Sequence, residues 1–188
     1  MPYLQNAGVF LIQTIFGFFI VMFLLRLLLI AIGAPFNQPI CRFVYLFTNP
    51  VTMPLRNLVP RWRRFEFSSL LIAWLLALIE LFVFAAMFGA GLSVGGLLLR
   101  AAVDTLDWIV LIELVAIFGY CILSFFPSAQ YDSNFRLLAQ LVEPVVRPFR
   151  KFLPPLGGLD FSCWFAAIAL VLVRMLIVAP LADLALRV

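Results

Sequence analysis

The sequence contains no histidine, and only 12% of its 188 residues are charged. A soluble domain carries about a quarter of charged residues, so roughly half of the usual charge is missing. Histidine is the commonest metal ligand and the side chain that most readily titrates near neutral pH. Its absence excludes most zinc, haem and copper sites and all histidine-dependent acid–base catalysis.

Cysteine is scarce as well. Cys41, Cys121 and Cys163 form no C-x-x-C pair, and each has an apolar residue on at least one side. Lone cysteines in such surroundings are most often inert packing residues. The sequence also has no nucleophile–base motif, no phosphate-binding glycine loop and no H-E-x-x-H motif. We therefore expect no enzymatic activity, no cofactor and no metal site.

Apolar residues dominate the composition. They make up 65% of the chain, and the mean hydropathy is +1.15. A water-soluble shape of this size cannot bury that much apolar surface, so the composition predicts an integral membrane protein. The net charge of +4 does not indicate nucleic-acid binding. The few basic residues flank apolar runs, where arginine sets topology and contacts lipid phosphates.

Four apolar runs are long enough to span a bilayer, which takes about 20 residues. They cover residues 9–32, 68–90, 108–126 and 162–180. The first run is predicted to be a retained helix, because no basic n-region precedes it. Ser68 is a plausible N-cap of the second, with Glu66 at the positive end of the helix dipole. We expect the segment Leu97–Asp107 to lie partly at the membrane interface and Gly91-x-x-x-Gly95 to be a turn.

An offset of 94 residues relates the two halves of the chain. The matched pairs are Pro50 and Pro144, Val51 and Val145, Pro54 and Pro148, Arg56 and Arg150, Pro60 and Pro154, Glu66 and Asp160, Phe67 and Phe161, and Ser68 and Ser162. Such matches at one spacing indicate an internal repeat. We divide the chain into repeats at 1–94 and 95–188, with loops at 34–67 and 127–161.

Each repeat is predicted to be helix, amphipathic loop, helix. Two spans return the chain to its starting side, so the repeats have parallel topology about a pseudo-two-fold axis along the membrane normal. The repeat loops hold nine basic residues near span ends, against two on the other side. This bias predicts an all-α, multi-pass protein with both loops in the cytoplasm and both termini outside.

The second loop has the pattern of a short helix in the headgroup layer. Its apolar side chains at helical spacing are Val142, Val145, Val146, Phe149, Phe152 and Leu153, and its charged ones are Glu143, Arg147, Arg150 and Lys151. Pro144 suits a first helical turn, and Pro148 is expected to bend the segment.

Two interpretations of the loops remain open. One is a topological anchor, with arginine on lipid phosphate. The other is a docking surface or anion site, in which Arg56 and Arg150 face each other across the axis. Both interpretations assign the contact to the same residues: Arg56, Arg147, Arg150 and Lys151, with Pro54, Pro148, Glu143 and Asp160.

Charges also occur inside the predicted spans. Glu80 and Arg174 are repeat equivalents, since 174 − 80 = 94, and Glu113 lies at a similar depth. Ionised groups there cost at least ~2.5–3.5 kcal/mol each unless they pair or neutralise. We predict that Arg174 meets Glu80 or Glu113 at the centre of four helices, while Arg26 snorkels to the cytoplasmic surface. This cluster is either a structural clamp or part of an ion path.

The segment EPVVRPFRKFLPPLGGLDFS, residues 143–162, resembles the YggT/YlmG family of bacterial and plastid membrane proteins, in its two-repeat YggT form. The first copy departs from the pattern at Asn49, at Met53 and at Arg61-Trp62-Arg63-Arg64. The resemblance implies an accessory protein of the bacterial inner membrane, linked to cell division, envelope organisation, assembly of membrane complexes or osmotic stress tolerance.

Two functions follow as hypotheses. The first is a scaffold whose loops contact anionic headgroups of the cytoplasmic leaflet, or division or assembly proteins. The second is a small ion or solute pathway, which would need a homo-oligomer because four helices seldom enclose a pore. A paired, dry centre favours the scaffold, and a continuous wet cavity favours transport.

Overall fold

The computed structural model describes residues 2–35, 37–56, 65–89, 93–124, 126, 132–151 and 162–187, without the side chains of Pro2, Leu4 and Arg56. The helices of this part are α1 (Pro2–Ala31), α2 (Pro39–Arg56), α3 (Phe67–Phe88), α4 (Val94–Ser124), α5 (Ser133–Arg150), α6 (Ser162–Val173) and α7 (Ala179–Ala185). A π-helical turn, Arg174–Val178, joins α6 to α7. Four segments are long and apolar enough to cross a membrane: Gln5–Ala31, Phe67–Phe88, Val94–Ser124 and Ser162–Ala185. The prediction of an all-α protein with four spanning helices is confirmed.

The structure corrects local predictions about helix boundaries. The interface position of Leu97–Asp107 stays a prediction, but this segment is part of the continuous helix α4 and is not separate from the third span. One reason is that its charges pair within the helix, with Arg100 Nε 2.9 Å from Asp104 Oδ1 one turn later. Helix α3 begins at Phe67 with Glu66 at its N-cap position, so Ser68 is not the cap. Gly91 lies outside the described residues, and Gly95 belongs to the first turn of α4.

The offset of 94 residues also relates the limits of the two amphipathic helices, α2 and α5. Helix α5 has the limits of α2 moved by that number, since 39 + 94 = 133 and 56 + 94 = 150. Helix α5 begins earlier than the sequence pattern indicated. Helix α5 begins where the Asp132 carboxylate accepts a hydrogen bond from the Asn134 N–H, at 2.9 Å. Pro144 therefore lies inside α5 and not in its first turn, which corrects that prediction.

The core lies in three clusters. One joins α1, α3 and α4 and is built around Ile20, Leu24, Ala73 and Ala101. The other two fill the end of the bundle that carries α2 and α5, which we call the loop end, and include Val44 and Val142. Helix α3 packs against both α1 and α4, whereas α6 and α7 pack against α4.

Helices α1 and α4 approach closely at Gly17. A Cβ atom at that position would lie 3.2 Å from Trp108 Cζ2. Glycine is thus required there by space rather than by backbone conformation. The contact joins the two repeats near mid-helix, away from the loop end.

Candidate functional site

Arg26 lies at the centre of a buried polar cluster at the loop end. Its guanidinium donates from Nε to Glu66 Oε2 at 2.7 Å and from Nη2 to Glu66 Oε1 at 3.2 Å. Nη1 donates to Thr48 Oγ1 at 2.9 Å and to Asn49 Oδ1 at 2.6 Å. Arg26 is 4% exposed and Glu66 1%. The prediction that Arg26 snorkels to the surface was wrong, because α2 and the N-cap residue of α3 supply acceptors for it inside the protein.

The second repeat has a related cluster with a different distribution of charge. The equivalent of Arg26 is Tyr120 (26 + 94 = 120), and the equivalent of Asn49 is Glu143 (49 + 94 = 143). Here the cation comes from the end of α5: Arg150 Nη1 donates to Glu143 Oε2 at 2.6 Å and Nη2 to the Tyr120 hydroxyl at 3.1 Å. The guanidinium also lies 5.9 Å from the Tyr120 ring centroid. In each repeat an arginine therefore links the amphipathic helix to the preceding span. In the first repeat the arginine belongs to the span, as Arg26 of α1, and in the second it belongs to the amphipathic helix, as Arg150 of α5.

The arginine pair of the docking hypothesis is only partly described. Arg150 is engaged within its own repeat, while the Arg56 side chain and Asp160 lie outside the described residues. The facing pair stays a prediction. Helices α2 and α5 do meet near their first turns, where Gln38 Nε2 donates to the Ser133 carbonyl at 3.2 Å.

The outer faces of α2 and α5 differ in polarity. Their exposed equivalent positions are Ile40 and Asn134, Leu46 and Gln140, and Met53 and Arg147. Exposed Phe43 and Phe47 extend the apolar face of α2 onto Phe18 and Phe19 of α1, with ring centroids 5.6–6.2 Å apart. On α5, Arg147 and Pro148 are exposed, as is Lys151 directly after the helix. The sequence pattern had predicted that both loops are amphipathic and play the same role. In the structure, the outer face of α2 is apolar and that of α5 is polar.

The buried side of α2 carries Cys41, which is fully buried. Burial raises the pKa of the Cys41 thiol above its ordinary value, although a hydrogen bond from its own backbone acts in the other direction. The thiol is thus neutral at physiological pH, as expected for a packing cysteine.

Arg174 does not meet Glu80 or Glu113. Its Nε and Nη2 donate to Asp107 Oδ1 and Oδ2 at 2.6 Å and 2.8 Å. The prediction was wrong because α6 packs on α4 and not between α3 and α4, so that the carboxylate within reach is on the facing side of α4. Glu113, also on α4, is 8% exposed, and its Oε2 has no hydrogen-bond partner among the described residues.

Two cavities meet at the charged side chains of α4. The larger, about 600 Å³, lies between α1, α3 and α4, and the smaller, about 380 Å³, lies between α4 and the last span. Arg100, Asp104 and Asp107 line both. Glu80 lines the larger cavity and Arg174 the smaller one. Within the described part of the chain, no three potential ligand side chains converge on a possible metal position.

Two signals for these sites were present in the sequence and were missed. Arg100, Asp104 and Asp107 follow one another at i, i+4 and i+7, which places them on one helical face. Because these residues were assigned to the membrane interface, their shared helical face was not recognised. The exposed residues Arg42 and Arg136 also differ by 94 and are a second repeated arginine pair, at the start of the amphipathic helices.

Comparison with known proteins is consistent with the repeats. The family model described as CCB3/YggT matches residues 5–87 and again 99–181, two ranges that differ by 94 at both limits. An uncharacterized protein of Pseudomonas aeruginosa is 33% identical over 185 residues, which cover 96% of this chain and 93% of that protein. The uncharacterized protein YggT of Escherichia coli K12 is 28% identical over 175 residues, covering 91% of this chain and 89% of that protein. No solved structure matches the chain significantly.

Proposed function

The chain belongs to the CCB3/YggT family of proteins, and from this premise we propose that it is a non-enzymatic scaffold of the bacterial inner membrane. Helix α2 anchors it in lipid, and helix α5 offers a polar, basic surface at the cytoplasmic face. That surface contacts anionic headgroups or acidic segments of division or assembly proteins.

The difference between the outer faces of α2 and α5 carries this proposal. Fully burying an Ile, Leu, Met or Phe side chain is worth about 1.5–3 kcal/mol. Exposed Ile40, Leu46 and Met53 therefore favour acyl chains around α2. Asn134, Gln140 and Arg147 would lose hydrogen bonds to water in the same surroundings. At the surface of an anionic leaflet, each basic residue such as Arg147 contributes about 1 kcal/mol of attraction.

The rigid attachment of both helices also supports a scaffold. Arg26 fixes α2 to α1 and Glu66, and Arg150 fixes the end of α5 to α4 through Tyr120. A surface held on packed elements presents its side chains in one geometry. That property suits recognition of a partner better than a loose tether would.

The lipid contact can be tested with equivalent positions in the two repeats. Single-cysteine variants Leu46→Cys and Gln140→Cys, in a chain whose native cysteines are replaced by alanine, are spin-labelled in proteoliposomes. We expect oxygen, which concentrates in the bilayer, to relax the label at position 46. A water-soluble nickel chelate should relax the label at position 140. Equal oxygen accessibility at both positions would contradict the proposed division of roles.

The scaffold role needs a test in cells. A photo-crosslinking amino acid at position 140 or 147 is expected to form defined protein adducts, and at position 46 to form lipid adducts only. Arg136→Ala together with Arg147→Ala should reduce the protein adducts at 140 without lowering the abundance of the chain. Protein adducts that survive the loss of both arginines would show that basic charge is not what is recognised.

A solute pathway is a second candidate, because two cavities meet at charged residues of α4. Against it, the loop end of the described structure is filled by buried residues such as Leu29, Val44 and Val146. Transport would therefore require an oligomer or a rearrangement. Ion flux through liposomes that hold the purified protein would favour this function over the scaffold.

A further inference from the structure

We propose that the cavity of about 600 Å³ between α1, α3 and α4 is a binding site for a small organic ammonium ion. It is lined by Glu80, by the polar residues Gln13 and Thr14, by the aromatic residues Phe10, Phe84 and Trp108, and by the α4 charges Arg100, Asp104 and Asp107. This site is independent of the scaffold role, which involves the opposite end of the bundle.

Charge pairing singles out Glu80. Arg100 pairs with Asp104 at 2.9 Å, and Asp107 pairs with Arg174 at 2.6 Å. Both arginines near the cavity are thus neutralised by aspartates. Among the described residues Glu80 forms no ion pair, so the cavity carries one uncompensated carboxylate. An ionised carboxylate within a span costs at least ~2.5–3.5 kcal/mol, and a bound cation would offset that cost.

The lining favours an organic cation over a metal ion. Calcium takes six to eight oxygen ligands, and magnesium needs near-octahedral oxygen geometry. No three potential ligand side chains converge on one point in the part of the chain that the structure describes. Aromatic rings attract ammonium groups by cation–π interaction, and Phe10, Phe84 and Trp108 supply three such rings in the wall. A carboxylate combined with aromatic walls is the chemistry that recognises an alkylammonium head.

Size and neighbouring hydrogen-bonding groups fit the same ligand class. A water molecule occupies about 30 Å³ of liquid, so 600 Å³ accommodates a small ammonium compound with several waters. The Thr14 hydroxyl donates to the Phe10 carbonyl at 2.7 Å, which leaves its oxygen lone pairs available. Gln13, which is exposed, adds an amide for a hydroxyl or carbonyl elsewhere in the ligand.

The experiment uses the purified full-length chain and radiolabelled choline in a scintillation proximity assay. We expect saturable binding that unlabelled tetramethylammonium displaces. The neutral analogue 3,3-dimethyl-1-butanol, which has nearly the shape of choline, should displace it at least tenfold less well. Equal displacement by the neutral analogue, or no saturable binding at millimolar choline, would overturn the proposal. So would displacement by potassium ions at the same concentrations as tetramethylammonium, since that result indicates a site for inorganic cations.

Two variants locate the site. Glu80→Gln is expected to weaken choline binding at least tenfold. Glu113→Gln, which removes a buried carboxylate that does not line the cavity, should bind as the original chain does. Unchanged binding by Glu80→Gln would overturn the assignment. Because the competition series on the original chain tests charge recognition separately, the proposal stays falsifiable even if Glu80→Gln does not fold.

Discussion

Arg174 and Asp107 form a bidentate ion pair between the last span and the middle of α4, with N–O distances of 2.6 Å and 2.8 Å. Arg174 is the first residue of the π-helical turn that joins α6 to α7. π-helical turns often occur at functional sites. Here the turn places its arginine at the wall of the smaller cavity.

Loss of either partner of this pair should lower stability, and loss of both should lower it less. Arg174→Gln leaves the Asp107 carboxylate without its cation, and Asp107→Asn does the reverse. Breaking a fully buried pair costs about 3–5 kcal/mol, but these side chains are 38% and 30% exposed, so we expect about 1–2 kcal/mol. The free energies of unfolding of the two single variants and the double variant, measured by SDS titration in mixed micelles, test this expectation. An ion flux lost in Arg174→Gln at unchanged stability would instead indicate a conducting role.

The Arg26 cluster is expected to be the more sensitive of the two. Arg26→Tyr removes the cation from a buried Glu66 and should cost about 3–5 kcal/mol. Adding Asn49→Glu recreates the pair Tyr120 and Glu143 of the second repeat and provides an acceptor for Arg56, the equivalent of Arg150. We expect the double variant to recover part of the loss in thermal unfolding. A double variant less stable than Arg26→Tyr would show that the two repeats do not share this arrangement.

Cys41 should react slowly with thiol reagents. Only the thiolate is alkylated, and burial raises the pKa of this thiol, so alkylation requires a higher pH than that of an exposed cysteine. Since the folded pKa lies above the unfolded one, the associated stability is present at low pH and declines as the pH rises through the two values. Rates of iodoacetamide labelling against pH, with Gln140→Cys as the water-exposed control and SDS-unfolded protein as reference, measure this. Equal pH profiles for positions 41 and 140 would contradict it.

Glu113 is expected to tolerate loss of its charge. Its Oε2 has no partner among the described residues, and an amide of the same shape avoids burying a carboxylate. Thermal unfolding of Glu113→Gln should give the original midpoint or a higher one. A clearly lower midpoint would show that the carboxylate is engaged with a group outside the described residues.

Gly17→Val should destabilise the contact between the repeats. Even the first carbon of the new side chain would lie 3.2 Å from Trp108, so α1 or the indole must move. Overpacking of this kind typically costs about 1–3 kcal/mol. Gly8→Val is the matched control in the same helix, because nothing lies within 4 Å of a Cβ atom there. Equal unfolding midpoints for the two variants would show that the contact yields without cost.

Long apolar runs made the four spans predictable from sequence, because the membrane requires about 20 apolar residues per helix. The repeat was equally evident, since matched prolines and arginines recur at one offset of 94 residues. Hydrophobic periodicity also predicted the second amphipathic helix, although not its start. The Asp132 cap lies before the apolar pattern that defined the second helix.

The sequence by itself determined the membrane character, the number of spans and the duplication, which depend on composition and spacing along the chain. Only the tertiary structure decided which charges pair, because that depends on which helix faces which. Arg174 contacts Asp107 since the last span packs on α4, and Arg26 is buried since α2 and Glu66 close over it. The different outer faces of α2 and α5 likewise became evident only when packing showed which side chains are exposed.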